Sequence, residues 1–152
     1  MKTLILAVFA ATLLFVPFSC AEENPEISET YFIEFGSECG WCAGMEYIKI
    51  TEQKIVYTRT IPCGEEKGTQ TESEIISEAD WQELQNSFDY DQFLTLDYDE
   101  CNVCADGCDE ILRITRAGET HQLRYDPGQE ITDVASLQTK LREIMLKFQD
   151  EN

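Results

Sequence analysis

Three thiols fall within eight residues in Cys101-Asn-Val-Cys104-Ala-Asp-Gly-Cys108, just ahead of the strand-like run Ile111 to Thr115. Upstream stand Cys39-Gly-Trp-Cys42 and Cys63. Six sulfurs in these two regions can tie an N-terminal run of strands to a C-terminal hairpin, which restricts the available folds more than any other feature. The chain has seven cysteines, and the odd one, Cys20, lies at the end of an apolar leader.

That leader, residues 1–19, begins with basic Lys2 and continues as an apolar run from Leu4 to Phe18, interrupted by Thr12 and Pro17. The run is too short for the ~20 residues a bilayer core requires and ends in small residues, so it reads as a secretory signal. Ser19-Cys20 has the form of a lipobox, in which the cysteine is acylated and becomes the new N-terminus, although Pro17 stands where leucine is usual. The alternative cut lies after Ala21, which gives a simply secreted chain. Either cut takes Cys20 out of the pool for pairing. An even set then remains in an exported chain, where thiols oxidise.

The 152 residues allow one domain with one core. Thirty acidic residues against eleven basic ones give a formal charge of -19, a field that repels phosphate backbones and disfavours nucleic acid binding. Eight Phe, six Tyr and two Trp supply the apolar bulk that a disordered acidic chain lacks. The excess acid therefore lies on a folded object and keeps it soluble.

Residues 20–29 read as the lipid anchor and a flexible acidic tether. Residues 30–149 read as a single α+β domain. Tyr31 to Phe35 is aromatic and β-branched, which predicts a strand. Met45 to Ile50 and Lys54 to Ile61 flank a polar turn and predict a hairpin that Pro62 stops. Glu65 to Glu74 is polar and reads as an exposed loop. Ser77 opens a helix with acids in its first turn and Trp81, Leu84 and Phe88 on one stripe. Glu110 to Arg116 and Thr120 to Tyr125 form a second hairpin, followed by the turn Asp126-Pro127-Gly128. Thr132 is placed to cap a final helix carrying Val134, Leu137, Leu141, Ile144, Met145 and Phe148 on one face. The expected fold is α+β: an antiparallel sheet built from an N-terminal strand and two hairpins, two helices packed on one face, and disulfides bracing it.

The cysteines admit three chemistries. Cys39, Cys42, Cys63, Cys101, Cys104 and Cys108 are foremost disulfide candidates, and sequence alone does not choose their pairing. A reactive Cys-x-x-Cys needs its first thiol at a helix N-terminus, yet the residues after Cys42 read as a strand. Four thiolates at Cys39, Cys42, Cys101 and Cys104 have the form of a zinc set, which an oxidising compartment works against. Elsewhere, His121 is the lone histidine and shares parity with Leu123 and Tyr125, placing it at the rim of the core face. The acids Asp89, Asp91, Asp97, Asp99, Asp106 and Asp109 fail the calcium-loop pattern, because counting from Asp97 puts Cys108 where the loop's glutamate belongs. No metal site, cofactor or catalytic residue is assigned.

Taken together, Cys39-Gly-Trp-Cys42, a hairpin, a Ser77-led helix with Trp81 and Leu84, then Phe93, a second hairpin and a terminal amphipathic helix resemble small cysteine-containing domains of Bacteroidota-type exported lipoproteins. The likeness spans Tyr31 to Phe148, and the Cys101 to Cys108 cluster is an addition to it. The type has no known activity, so no catalytic role is carried over. The expectation is an envelope lipoprotein, periplasmic or surface-facing and anchored at Cys20, with secretion as the alternative. Its domain is expected to be non-enzymatic and to bind an envelope protein or cell-surface component. The alternative is a thiol-disulfide redox or zinc-binding module using Cys39/Cys42 and Cys101/Cys104/Cys108.

Overall fold

The computed structural model describes residues 31–150. The leader, Cys20 and the tether lie outside the described residues. Strands β1 (Tyr31–Cys39), β2 (Gly44–Ile50), β3 (Lys54–Ile61) and β4 (Gly68–Ile75) precede helices α1 (Glu78–Gln85) and α2 (Tyr90–Phe93). Strands β5 (Cys108–Arg116) and β6 (Glu119–Tyr125) and helix α3 (Ala135–Asp150) complete the chain. The six strands form one antiparallel sheet in the order β4-β3-β2-β1-β5-β6.

The register explains the core. Ile33 faces Ile50 on one side and Ile114 on the other, and Phe35 faces Ile48 and Leu112. The rows extend outward to Ile55 and Tyr57 on β3 and to His121 and Leu123 on β6. Because side chains alternate along a strand, these rows share one face. Helices α1 and α3 cover that face with Trp81, Leu84, Leu137, Leu141, Met145 and Phe148, all buried in the same cluster. Tyr57 stacks on Phe148 at 5.3 Å, and Tyr31 tilts against Trp81 at 5.2 Å. Fully burying a leucine such as Leu141 contributes about 1.5–3 kcal/mol, so truncating it would loosen the helix from the sheet.

Local chemistry sets the ends of the elements. Ser77 Oγ accepts from the Asp80 backbone N–H at 3.1 Å, which caps α1 as the sequence predicts. Ala117 and Gly118 both take positive φ, giving a two-residue turn of the type that suits strand twist between β5 and β6. In the turn after β6, the Gln129 N–H donates to the Asp126 carbonyl at 3.0 Å, with Gly128 at φ +80.

Two expectations change. Residues 65–74 are not a loop throughout: Gly68–Ile75 is strand β4, paired from Lys54↔Ile75 to Ile61↔Gly68. It is exposed on nearly every residue, so it carries no hydrophobic periodicity, and the first hairpin becomes part of a four-strand meander. Thr132 does not cap α3. It opens a short 3-10 turn, Thr132–Val134, without a side-chain cap bond. Buried Gln138 does that work from inside the helix. Its Oε1 accepts from the Ile131 N–H at 2.9 Å and its Nε2 donates to the Gln129 carbonyl at 3.0 Å. Among the described residues, no helix is long and apolar enough to cross a membrane.

Candidate functional site at the disulfide-braced end of the sheet

Three disulfides join all six predicted cysteines: Cys39–Cys108, Cys42–Cys63 and Cys101–Cys104. The first Cys-x-x-Cys is not closed on itself. Cys39 ends β1 and lies directly across the ladder from Cys108 at the start of β5, with 4.0 Å between Cα atoms. Cys42, three residues on, reaches instead to Cys63 beyond the end of β3. Only the second Cys-x-x-Cys closes locally, around the 3-10 turn Val103–Ala105. All six sulfurs are therefore committed to S–S bonds, which leaves no thiolate for a tetrahedral metal site in this state.

This bonding fixes the four-residue link between β1 and β2. Gly40 donates its N–H to the Gly107 carbonyl at 2.8 Å, and a Cβ at Gly40 would stand 2.9 Å from the Asp106 Cα, so the link is pressed against the Cys101–Cys108 loop. Gly44, where β2 begins, has φ +89, and a Cβ there would lie 2.1 Å from the Thr60 carbonyl oxygen. Only glycine meets both conditions. Between the two braced cysteines stands Trp41, with φ 57 and 84% exposure. Met45 on β2 is also exposed.

Beside this tip, on the sheet face away from the helices, lies a polar network. Gly36 sits in register between Tyr47 and Ile111. A Cβ at Gly36 would come within 2.6 Å of Tyr47 Cδ1, so the missing side chain lets the tyrosine ring lie across the strand. The Tyr47 hydroxyl donates to Glu38 Oε1 at 2.5 Å, and Arg124 donates to Glu38 Oε2 at 2.7 Å and to Asp109 Oδ2 at 3.2 Å. Arg113 lies 3.7 Å from Glu38 Oε1 and 3.9 Å from Glu34 Oε2. Burial raises the Tyr47 phenol above its ordinary range, and the hydrogen bond it donates to the Glu38 carboxylate raises it further.

Asp109 connects the network to the cysteines. Fully buried, it accepts from the Asn102 N–H at 2.7 Å and, more weakly, from the Val103 N–H at 3.4 Å. Arg124 Nη1 reaches to 3.9 Å from Cys101 Sγ. Sequence reading placed Asp109 in an acidic string and missed its role, since nothing local signals a carboxylate folded back seven residues. The other acids of the string do not converge on it. Asp89 caps α2 through the Gln92 N–H, and Asp99 forms a parallel bridge to Arg124. Among the described residues, no three His, Cys, Asp or Glu side chains are gathered to hold a metal. His121 lies at the rim of the core as expected, with Nε2 2.9 Å from the Leu96 carbonyl and its ring edge-on to Phe93.

No protein-family model and no curated protein matches this chain.

Proposed function

We propose that this chain is an exported, lipid-anchored envelope protein, held at the membrane through Cys20. In this reading its α+β domain is a non-enzymatic binding module, a domain of the Bacteroidota lipoprotein type. It faces the periplasm or the cell surface, and simple secretion is the alternative if cleavage falls after Ala21. The partner is an envelope protein or cell-surface component that meets the braced tip of the sheet. The strong negative charge favours a neutral or cationic partner over nucleic acid.

One observation carries the reading. Trp41 is 84% exposed on a link whose flanking cysteines are bonded to two different elements. An exposed tryptophan contributes nothing to its own core. With its backbone pinned on both sides, it needs little main-chain ordering on docking and has the character of an interface anchor. Complete pairing of the six sulfurs also suits an oxidising compartment.

The test expresses the full chain in a cell with an envelope, carrying a photoreactive aromatic residue at position 41. A control carries it at exposed Glu52, in the turn at the opposite end of β2. A discrete adduct from position 41 alone, together with an acylated Cys20 in the mature N-terminal mass, is expected. Absence of the position 41 adduct overturns the binding surface, and an unmodified N-terminus overturns the anchor.

A further inference from the structure

The three disulfides differ in ways that separate bracing from exchange. Cys39 and Cys108 are both half-buried, and Cys42 is exposed while Cys63 is half-buried. Cys101 and Cys104 are both exposed, and they alone close a span of three residues, against 69 and 21 for the other two. A bridge that closes so small a loop contributes least to the stability of the fold, so breaking it leaves the rest of the domain folded. From its accessibility and its neighbours, we propose that Cys101–Cys104 is an exchangeable disulfide that accepts two electrons from a dithiol, on a protein or a small molecule, while the other two bridges stay closed. The idea is independent of Trp41 and of the anchor.

The neighbours favour one direction of attack. Arg124 Nη1 is 3.9 Å from Cys101 Sγ while it also holds Asp109 Oδ2 at 3.2 Å, and a guanidinium beside a sulfur, even one shared with carboxylates, favours the thiolate there and improves it as a leaving group. An incoming thiolate therefore attacks Cys104 Sγ. The Cys101–Cys104 bond breaks, its electron pair leaves on Cys101 Sγ, and a mixed disulfide forms at Cys104. The second thiol of the dithiol, once deprotonated, attacks its own partner sulfur in that mixed disulfide and expels the Cys104 thiolate, which takes a proton from water. The dithiol ends as a disulfide, and Cys101 and Cys104 end reduced. The reverse sequence reoxidises them.

The loop does not need the bridge to keep its shape. Asp109 holds the Asn102 and Val103 N–H groups, the Ala105 and Gly107 N–H groups both donate to the Asn102 carbonyl, and Gly107 accepts from Gly40. Asn102 Nδ2 also reaches Asp126 Oδ1 at 2.5 Å. After reduction these bonds keep the two thiols adjacent, the condition for reversible exchange.

The experiment incubates the oxidised full chain, without denaturant, in graded ratios of reduced to oxidised dithiothreitol. Free thiols are trapped with a maleimide and located by peptide mass. The expected result is labelling of Cys101 and Cys104 alone, at reducing ratios at least about tenfold below those that open either other bridge. Labelling of all six together, labelling of Cys39, Cys42, Cys63 or Cys108 first, or no labelling before unfolding overturns the proposal. In Arg124→Gln the initial reduction rate is expected to fall about three- to tenfold, with Arg124→Lys restoring most of it. Equal rates in all three proteins would refute the leaving-group role given to Cys101.

Discussion

Replacing Cys39 and Cys108 together by serine removes the bridge that spans the longest stretch of chain. The separation is 69 residues, and the Cys42–Cys63 bridge nested inside already removes 21 of them from the open loop. About 50 residues therefore remain free to explore when the bond is absent. In the chain-entropy account, a closed loop of that size destabilises the unfolded state by about 4 kcal/mol at 25 °C. The same arithmetic gives about 2 kcal/mol for Cys101–Cys104, whose partners are three residues apart. Both substitutions leave strand pairing in place, because Cys39 and Cys108 face each other at the end of a continuous β1–β5 register. Urea unfolding followed by tryptophan fluorescence should show a loss of unfolding free energy about twice as large for the Cys39/Cys108 pair as for Cys101→Ser/Cys104→Ser, with a steeper slope for the former because its unfolded chain is less compact. A loss below about 1 kcal/mol for the long bridge, or the reverse order, would refute the view that the disulfides act mainly by closing loops.

Other outcomes test separate parts of the structure. Gln138→Ala should cost about 1–3 kcal/mol in the same assay, since it leaves the buried Ile131 N–H without its acceptor. Gly36→Ala should destabilise by at least about 1–3 kcal/mol, because the new Cβ would sit 2.0 Å from the Glu46 carbonyl oxygen and neither strand can give way easily. Trp41→Ala should change the unfolding free energy by no more than about 0.5 kcal/mol while abolishing partner capture, and a large stability loss would mean that the tryptophan is structural. Tyr125 is fully buried, and burial first, then the nearby Glu110 carboxylate, raises its phenol. The unfolded chain ionises near pH ~10 while the folded one keeps its proton, so stability is complete below that pH and falls above it, by about 1.4 kcal/mol per unit at most. Urea unfolding from pH ~9 to ~11 should show this decline, and Tyr125→Phe should lessen its slope without abolishing it, because the raised Tyr47 phenol acts in the same window.

Much of the fold was legible because burial on one face writes itself into alternation. Ile48 and Ile50, Ile55 and Tyr57, and Leu112 and Ile114 gave the strands, and Leu137, Leu141, Met145 and Phe148 gave the last helix. Strand β4 was illegible for the opposite reason. With Thr69, Thr71, Ser73 and Glu74 all exposed and only Glu72 half-buried, neither face is apolar, and the one available signal was a pair of β-branched threonines opposite Thr58 and Thr60. The cysteine set was visible, but its pairing was not. Cys39 and Cys42 look like one motif in sequence, yet they belong to different bridges because β1 ends at Cys39 and the chain turns before Cys42. Asp109 and Gln138 could not be singled out, because each acts on backbone groups that only the completed fold brings within reach.

How the sulfurs are joined decides both the bracing of the sheet and the constraint on the link that carries Trp41. A non-reducing peptide map of the chain recovered from an oxidising compartment measures this directly, provided that cleavage after Trp41 separates Cys39 from Cys42 and cleavage before Asp106 separates Cys104 from Cys108. The expected products are a Cys39–Cys108 cross-linked pair, a Cys42–Cys63 cross-linked pair, and a single peptide lacking two hydrogens that holds Cys101 and Cys104. A Cys39–Cys42 loop, or free thiols at any of the six positions in protein that has not met a reductant, would contradict it.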